Sequence, residues 1–184
     1  MRKLIYAINL TLDGCFDHTN GAPDDEIMEY YTELVRGADL FVYGRKTYQL
    51  MVPYWPDVAK NPSETKVDRD FAEAFIAARK LIFSRSLPSG EEGDTRIVRT
   101  NLRDEILREK QQPGKNILAG GVDIPSQLIE LGLVDEFRFV IWPIIAGQGR
   151  RLFEGVSLAE KLRLKLVESR PFESGAVLLR YLKQ

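Results

Sequence analysis

The chain has 184 residues, 44% hydrophobic and 29% charged, the proportions of a folded globular domain rather than of a disordered or membrane-embedded polypeptide. Lys and Arg number 26 against 27 Asp and Glu, a formal net charge of −1, so nothing in the balance attracts nucleic acid or an anionic membrane surface, and neither is expected as a partner. A lone cysteine, Cys15, excludes an intramolecular disulfide and fits a reducing, cytoplasmic setting, and the longest apolar stretch, 139–149, is broken by Pro143 and falls well short of the ~20 residues of a bilayer span.

Residues 3–12 are apolar and rich in strand formers, and Asp13-Gly14 punctuates their end, which predicts a strand opening onto a loop that runs through Asn20-Gly21-Ala22-Pro23. Asp24 or Asp25 then caps a helix that runs to about Arg36 and is closed by Gly37. Leu40-Phe41-Val42-Tyr43 predicts a short buried strand, Gly44-Arg45-Lys46-Thr47 a turn, and 47–52 the start of a short helix. Pro53, Pro56 and Pro62 around Tyr54 and Trp55 predict a loop serving as lid or rim, because proline lacks a donor and clashes with the preceding turn. Helical spacing returns over 66–78, leading into the strand Arg79-Lys80-Leu81-Ile82-Phe83, which ends at Ser84-Arg85-Ser86. A strand at Arg96-Ile97-Val98, a helix over 102–111, a strand at Asn116-Ile117-Leu118-Ala119, the turn Gly120-Gly121 and a helix over 122–131 follow. Residues 136–145, 163–168 and 176–182 read as strands with no long helix between the last two, hence an antiparallel C-terminal edge. The expected fold is one α/β domain over 1–184, a mixed, mostly parallel sheet flanked by helices.

Ligands of such sheets bind beyond the carboxyl ends of the strands. Three of these ends carry chemistry suited to a phosphorylated ligand: the cations and hydroxyl of Gly44-Arg45-Lys46-Thr47, the pair Ser84-Arg85, and the bare backbone of Gly120-Gly121. Each alone also reads as solvated charge, a plain turn or a tight connection, so the inference rests on their combination. A Walker A loop is absent, since Arg45 rather than lysine follows Gly44, and Gly147-Gln148-Gly149 lacks the third glycine of a dinucleotide fingerprint. Asp13 stands at a strand end as either a site residue or a turn former, and Asp25 and Glu26 as either proton relays or helix-entry carboxylates. Cys15 and Trp55 are candidate substrate-pocket liners, with Tyr54, Phe16 and Tyr48 as further aromatic candidates. Cys15 and His18 are too few for a zinc site, and no metal is expected.

With these stretches in this order, the chain resembles the dihydrofolate-reductase-like superfamily, most closely the branch of the C-terminal reductase domain of the riboflavin-biosynthesis deaminase-reductase. The resemblance covers nearly the whole chain. It rests on Asn9-Leu10-Thr11-Leu12-Asp13-Gly14, Tyr43-Gly44-Arg45-Lys46-Thr47-Tyr48, Phe83-Ser84-Arg85, Leu118-Ala119-Gly120-Gly121, and the run from Leu133-Val134-Asp135-Glu136 through Pro143 to Gly147-Gln148-Gly149. It implies an NADPH-dependent reductase that passes hydride to a small heterocyclic or carbonyl substrate, similar to the riboflavin-pathway 5-amino-6-(5-phosphoribosylamino)uracil reductase. Gly44, Arg45, Lys46 and Thr47 would serve the cofactor's phosphates, Ser84 and Arg85 its 2′-phosphate, and Gly120 and Gly121 its pyrophosphate. Dihydrofolate-reductase-like activity and NADP(H) binding without turnover are the alternatives. The chain departs from the riboflavin-pathway pattern in having Ala119 before the paired glycines and Cys15 after the first Asp-Gly. Related reductases pair as homodimers, and the apolar strands in 137–145 and the C-terminal segment could pair two copies of this chain in the same way.

Overall fold

The computed structural model describes every residue except His18 and Asn20. The first apolar run forms β1 (Leu4–Thr11), and Asp24 caps α1 (Asp25–Arg36) by accepting from the Ile27 amide at 2.8 Å. Asp25 and Glu26 at the entry and Arg36 at the exit suit the helix dipole, while Ile27, Met28, Leu34 and Val35 form its buried stripe. β2 (Ala38–Gly44) follows, then α2 (Arg45–Met51), α3 (Tyr54–Lys60) and α4 (Lys66–Ala77). The buried Lys80 donates to the carbonyls of Phe75, Ile76 and Ala78, which closes the end of α4. The chain continues through β3 (Arg79–Phe83), β4 (Gly90–Glu92), β5 (Thr95–Val98), α5 (Leu102–Gln111), β6 (Asn116–Ala119), α6 (Asp123–Glu130), β7 (Glu136–Trp142), β8 (Leu164–Pro171) and β9 (Val177–Lys183).

These strands make one sheet in the order β4-β5-β3-β2-β6-β1-β7-β9-β8. The central run from β5 to β7 is parallel, and antiparallel strands flank it on both sides, so the fold is the mixed α/β architecture the sequence predicts. On one face the stacked rings of Phe41 and Phe75, 5.2 Å apart, join the sheet to α4, and Met28, Leu34 and Val35 bring α1 to the same layer. On the other face Ile106 of α5 and Ile124 and Leu128 of α6 pack on Tyr6, Leu40, Val42 and Ile117. Successive helices thus leave β2 and β6, which are neighbours, toward opposite faces, the topological switch beside which open α/β sheets take their ligands.

The sequence reading is corrected at four places. Residues 54–60 are helical rather than a loop, because Pro53 is the cap and Pro56 lies in the first turn, where no intrahelical donor is needed. Arg45, Lys46 and Thr47 are the first turn of α2, with Gly44 as its cap, rather than a turn preceding the helix. β4 was not expected, since its Gly90-Glu91-Glu92 is exposed and has no apolar alternation. β7 stops at Trp142, before Pro143, and β8 extends to Pro171.

Candidate active site at the carboxyl ends of the parallel strands

Register decides which connections meet. Gly44 pairs with Phe83 across β2 and β3, so Arg45 and Ser84-Arg85 leave neighbouring strand ends. Val42 pairs with Ala119 across β2 and β6, and the Gly120 amide donates to the Val42 carbonyl at 3.2 Å, which sets Gly120-Gly121 on the other side of Gly44. The three connections singled out in the sequence therefore lie side by side.

Between them the backbone is bare for a steric reason. A Cβ on Gly120 would come within 2.7 Å of the Tyr43 ring, and one on Gly44 within 3.2 Å of Ile124 Cγ1. Gly121 has φ +80°, and a Cβ there would collide with the Thr47 hydroxyl. The Tyr6 hydroxyl donates to the Gly121 carbonyl at 3.0 Å and fixes this turn from the opposite face. Gly44, Thr47, Gly120 and Gly121 are thus one packed cradle.

Around it, Arg45, Lys46 and Arg85 are exposed, and none makes a hydrogen bond or ion pair with any described residue. Elsewhere in the chain Arg96, Arg108, Arg138 and Arg180 all meet carboxylates. Cations gathered without counter-charge on neighbouring strand ends suit an anionic ligand. Because α2 is only seven residues long, its dipole adds little, and the side-chain charges dominate. Ser84 is occupied differently from the other hydroxyl: its Oγ accepts from the Ser86 and Leu87 amides at 3.3 and 3.1 Å and shapes the loop that carries Arg85.

The first loop is built around Asp13. Its carboxylate accepts from the Thr11 hydroxyl at 2.7 Å and from the Ala146 and Gly147 amides at 3.0 Å each. Those bonds, the Thr11 hydroxyl foremost, pull its pKa down to about 2. Asp13 fastens the first loop to the loop after β7, and it stays ionised. Cys15 sits beneath that second loop, only 1% exposed, with its thiol donating to the Gln148 carbonyl at 3.5 Å. Against the expectation of a pocket liner, its thiol points into the junction of two loops.

Asp25 is exposed in the first turn of α1 and makes no hydrogen bond or ion pair with a described residue, whereas Glu26 is held by Arg170 at 2.7 Å and by the Glu173 amide at 3.0 Å. The bond from Arg170 lowers the Glu26 pKa. Trp55 packs its ring on Phe71 with centroids 4.4 Å apart, so it belongs to the helix layer, while Tyr54 stands 57% exposed at the rim. Phe16 lies under the Arg150 guanidinium at 5.4 Å. His18 lies outside the described residues.

Sequence reasoning missed Asn9 and Tyr31. β1 lies between β6 and β7, yet Ala7, Ile8 and Asn9 near its carboxyl end are only half-buried, and Asn9 reaches α1. The Tyr31 hydroxyl donates to Asn9 Oδ1, and burial raises the phenol's pKa well above its usual value, so it remains a donor. The available signal was one polar residue, Asn9, between Ile8 and Leu10 in an apolar strand; its partner, 22 residues further along the chain, gave none.

The profile of the RibD C-terminal domain matches residues 2–178. The chain belongs to the RibD C-terminal domain family. It is 33% identical over 184 residues to YyaP of Bacillus subtilis (strain 168), an uncharacterized protein, with 98% of this chain and 94% of YyaP covered. Among solved structures, a putative riboflavin biosynthesis protein from Shewanella sp. PV-4 shares the fold with TM-score 0.72 at 17% identity, covering 99% of both chains. A pyrimidine reductase-like protein from Corynebacterium diphtheriae gives TM-score 0.68 at 16% identity, covering 100% of this chain and 92% of that one. In this RibD C-terminal domain the glycine cradle and the three cations that no described residue pairs share one end of the sheet. Among the described residues no helix is long and apolar enough to cross a membrane.

Proposed function

We propose that this RibD C-terminal domain is an NADPH-dependent reductase acting on a small heterocyclic or carbonyl substrate. The observation that carries the reading is the set of cations, Arg45, Lys46 and Arg85, unpaired among the described residues, on adjacent strand ends beside a backbone cradle that excludes side chains. Both features suit a phosphate-bearing dinucleotide. Bare glycine backbone admits close approach of a pyrophosphate, and guanidinium groups pair with phosphate oxygens through two parallel bonds. Arg45, Lys46 and Thr47 with Gly44, Gly120 and Gly121 would hold the pyrophosphate, and Arg85 the 2′-phosphate. When bound, NADPH supplies a hydride.

The protein's own part is positioning and proton supply. Asn9 and Tyr31, bonded to each other near the carboxyl end of β1, would offer an amide and a phenol as a polar handle for a planar heterocycle. Asp13, held ionised by its bonds, keeps the first loop in place and gives no proton. Asp25, exposed at the α1 entry and without a partner among the described residues, would be the carboxylate that relays one from water.

The test is turnover. Purified protein mixed with NADPH and the riboflavin-pathway pyrimidine, dihydrofolate or a panel of small carbonyl compounds is followed at the reduced-nicotinamide absorbance band. Oxidation that requires one of these substrates supports the reductase, and saturable NADPH binding with none of them consumed refutes turnover.

A further inference from the structure

A cavity of about 900 Å³ opens at the other end of the sheet. Its walls come from the amino ends of β1, β2, β6 and β7, away from the glycine cradle, and include Lys3, Arg36, Lys115, Arg138 and Arg180. Arg2, also in the wall, is matched by Asp39 and Glu109. One lining carboxylate, Glu136, is shared among three of the other cations. Its Oε1 accepts from Arg138 Nε and Arg180 Nε, both at 2.7 Å, and its Oε2 lies 3.7 Å from Lys3 Nζ.

Little else offsets the remaining charge. Arg180 reaches Glu168 at 3.6 Å, and Lys115 Nζ donates to the Arg36 carbonyl at the end of α1 at 3.0 Å. The exposed Arg36 has no carboxylate within ion-pair distance among the described residues, although the Asp70 carboxylate of α4 feels its charge at longer range. Five cations around Glu136 and Glu168, with Asp70 only at longer range, leave an excess of positive charge facing an open concavity.

We propose that this cavity is a second ligand site, distinct from the reductase crevice, for a compact and multiply charged phosphate compound. Guanidinium groups converging from β7, β9 and the end of α1 match phosphate oxygens, which they grip with paired charge-assisted bonds. The volume lies within the range of small-molecule sites and admits a mononucleotide-sized ligand. Glu136 then acts as an organiser: buried itself, it holds Arg138 and Arg180 in place between visits of the ligand. The site is independent of whether the crevice binds NADPH.

Inorganic tripolyphosphate is the probe, by titration calorimetry at low salt. In Arg45→Glu/Arg85→Glu protein, where the crevice cations are reversed, binding at one equivalent is expected to persist. Adding Lys3→Glu and Arg36→Glu, both exposed positions, is expected to weaken it about tenfold or more, as loss of charge-assisted contacts does. Absence of saturable binding in the first variant, or unchanged affinity in the second, overturns the proposal. On unaltered protein, amide resonances of Gly37 and Asn116 should shift with tripolyphosphate; shifts confined to Gly44, Gly120 and Gly121 would also overturn it.

Discussion

Gly121→Ala tests the cradle directly. Gly121 has φ +80°, so alanine incurs the left-handed strain of about 1–2 kcal/mol, and its Cβ must also displace the Thr47 hydroxyl, at about 1 kcal/mol for a side chain driven off its rotamer. The sum predicts about 2–3 kcal/mol of destabilisation. Gly14 supplies the control: it has nearly the same φ, +81°, but nothing lies within 4 Å of its would-be Cβ, so Gly14→Ala should show the backbone strain alone. Thr47→Ala in the Gly121→Ala background should recover the steric part, leaving the double variant near Gly14→Ala. Urea unfolding at constant m value measures all four proteins. Equal destabilisation by Gly121→Ala and Gly14→Ala, with no recovery on removing the Thr47 hydroxyl, would refute the packed cradle.

Other outcomes follow from buried or fastened charges. The depressed Asp13 pKa means that its stabilisation is present above about pH 4, the unfolded carboxylate value, and is lost as pH falls toward its folded value of about 2. Asp13→Asn should therefore flatten the acid limb of the stability profile, and an unchanged limb would contradict its fastening role. Glu136→Gln leaves Arg138 and Arg180 without their shared carboxylate and should destabilise the fold by about 3 kcal/mol in urea unfolding. Lys80→Met strips the donor from three carbonyls at the end of α4 and should lower stability by about 2 kcal/mol, with the earliest hydrogen exchange in the last turn of α4.

The sheet was legible because its strands are short apolar runs separated by capped amphipathic stretches. Asp24 before Ile27, Phe71 and Phe75 at helical spacing, and Gly120-Gly121 after Ala119 all report on local geometry. Proline misled at residues 53–60, since its effect depends on whether it falls in a helix's first turn, a boundary the pattern does not mark. β4 was invisible because an exposed edge strand of glycine and glutamate carries no hydrophobic period. For the site, Arg45, Lys46 and Arg85 could be placed together from strand order alone. The burial of Cys15 could not, because it depends on the loop at 146–151 folding back over the first loop, a contact between segments some 130 residues apart. The Asn9–Tyr31 pair likewise requires the packing of α1 on β1.

In the proposed reductase, Arg85, beside Arg45 and Lys46, grips the phosphate that distinguishes NADPH from NADH. Titrating both nucleotides into unaltered protein and into Arg85→Ala tests it most directly. Unaltered protein should prefer NADPH, and the substitution should weaken NADPH roughly 10- to 100-fold, the value of a charge-assisted pair, while leaving NADH nearly unchanged. Equal weakening of the two nucleotides, or no preference at the outset, would contradict the account.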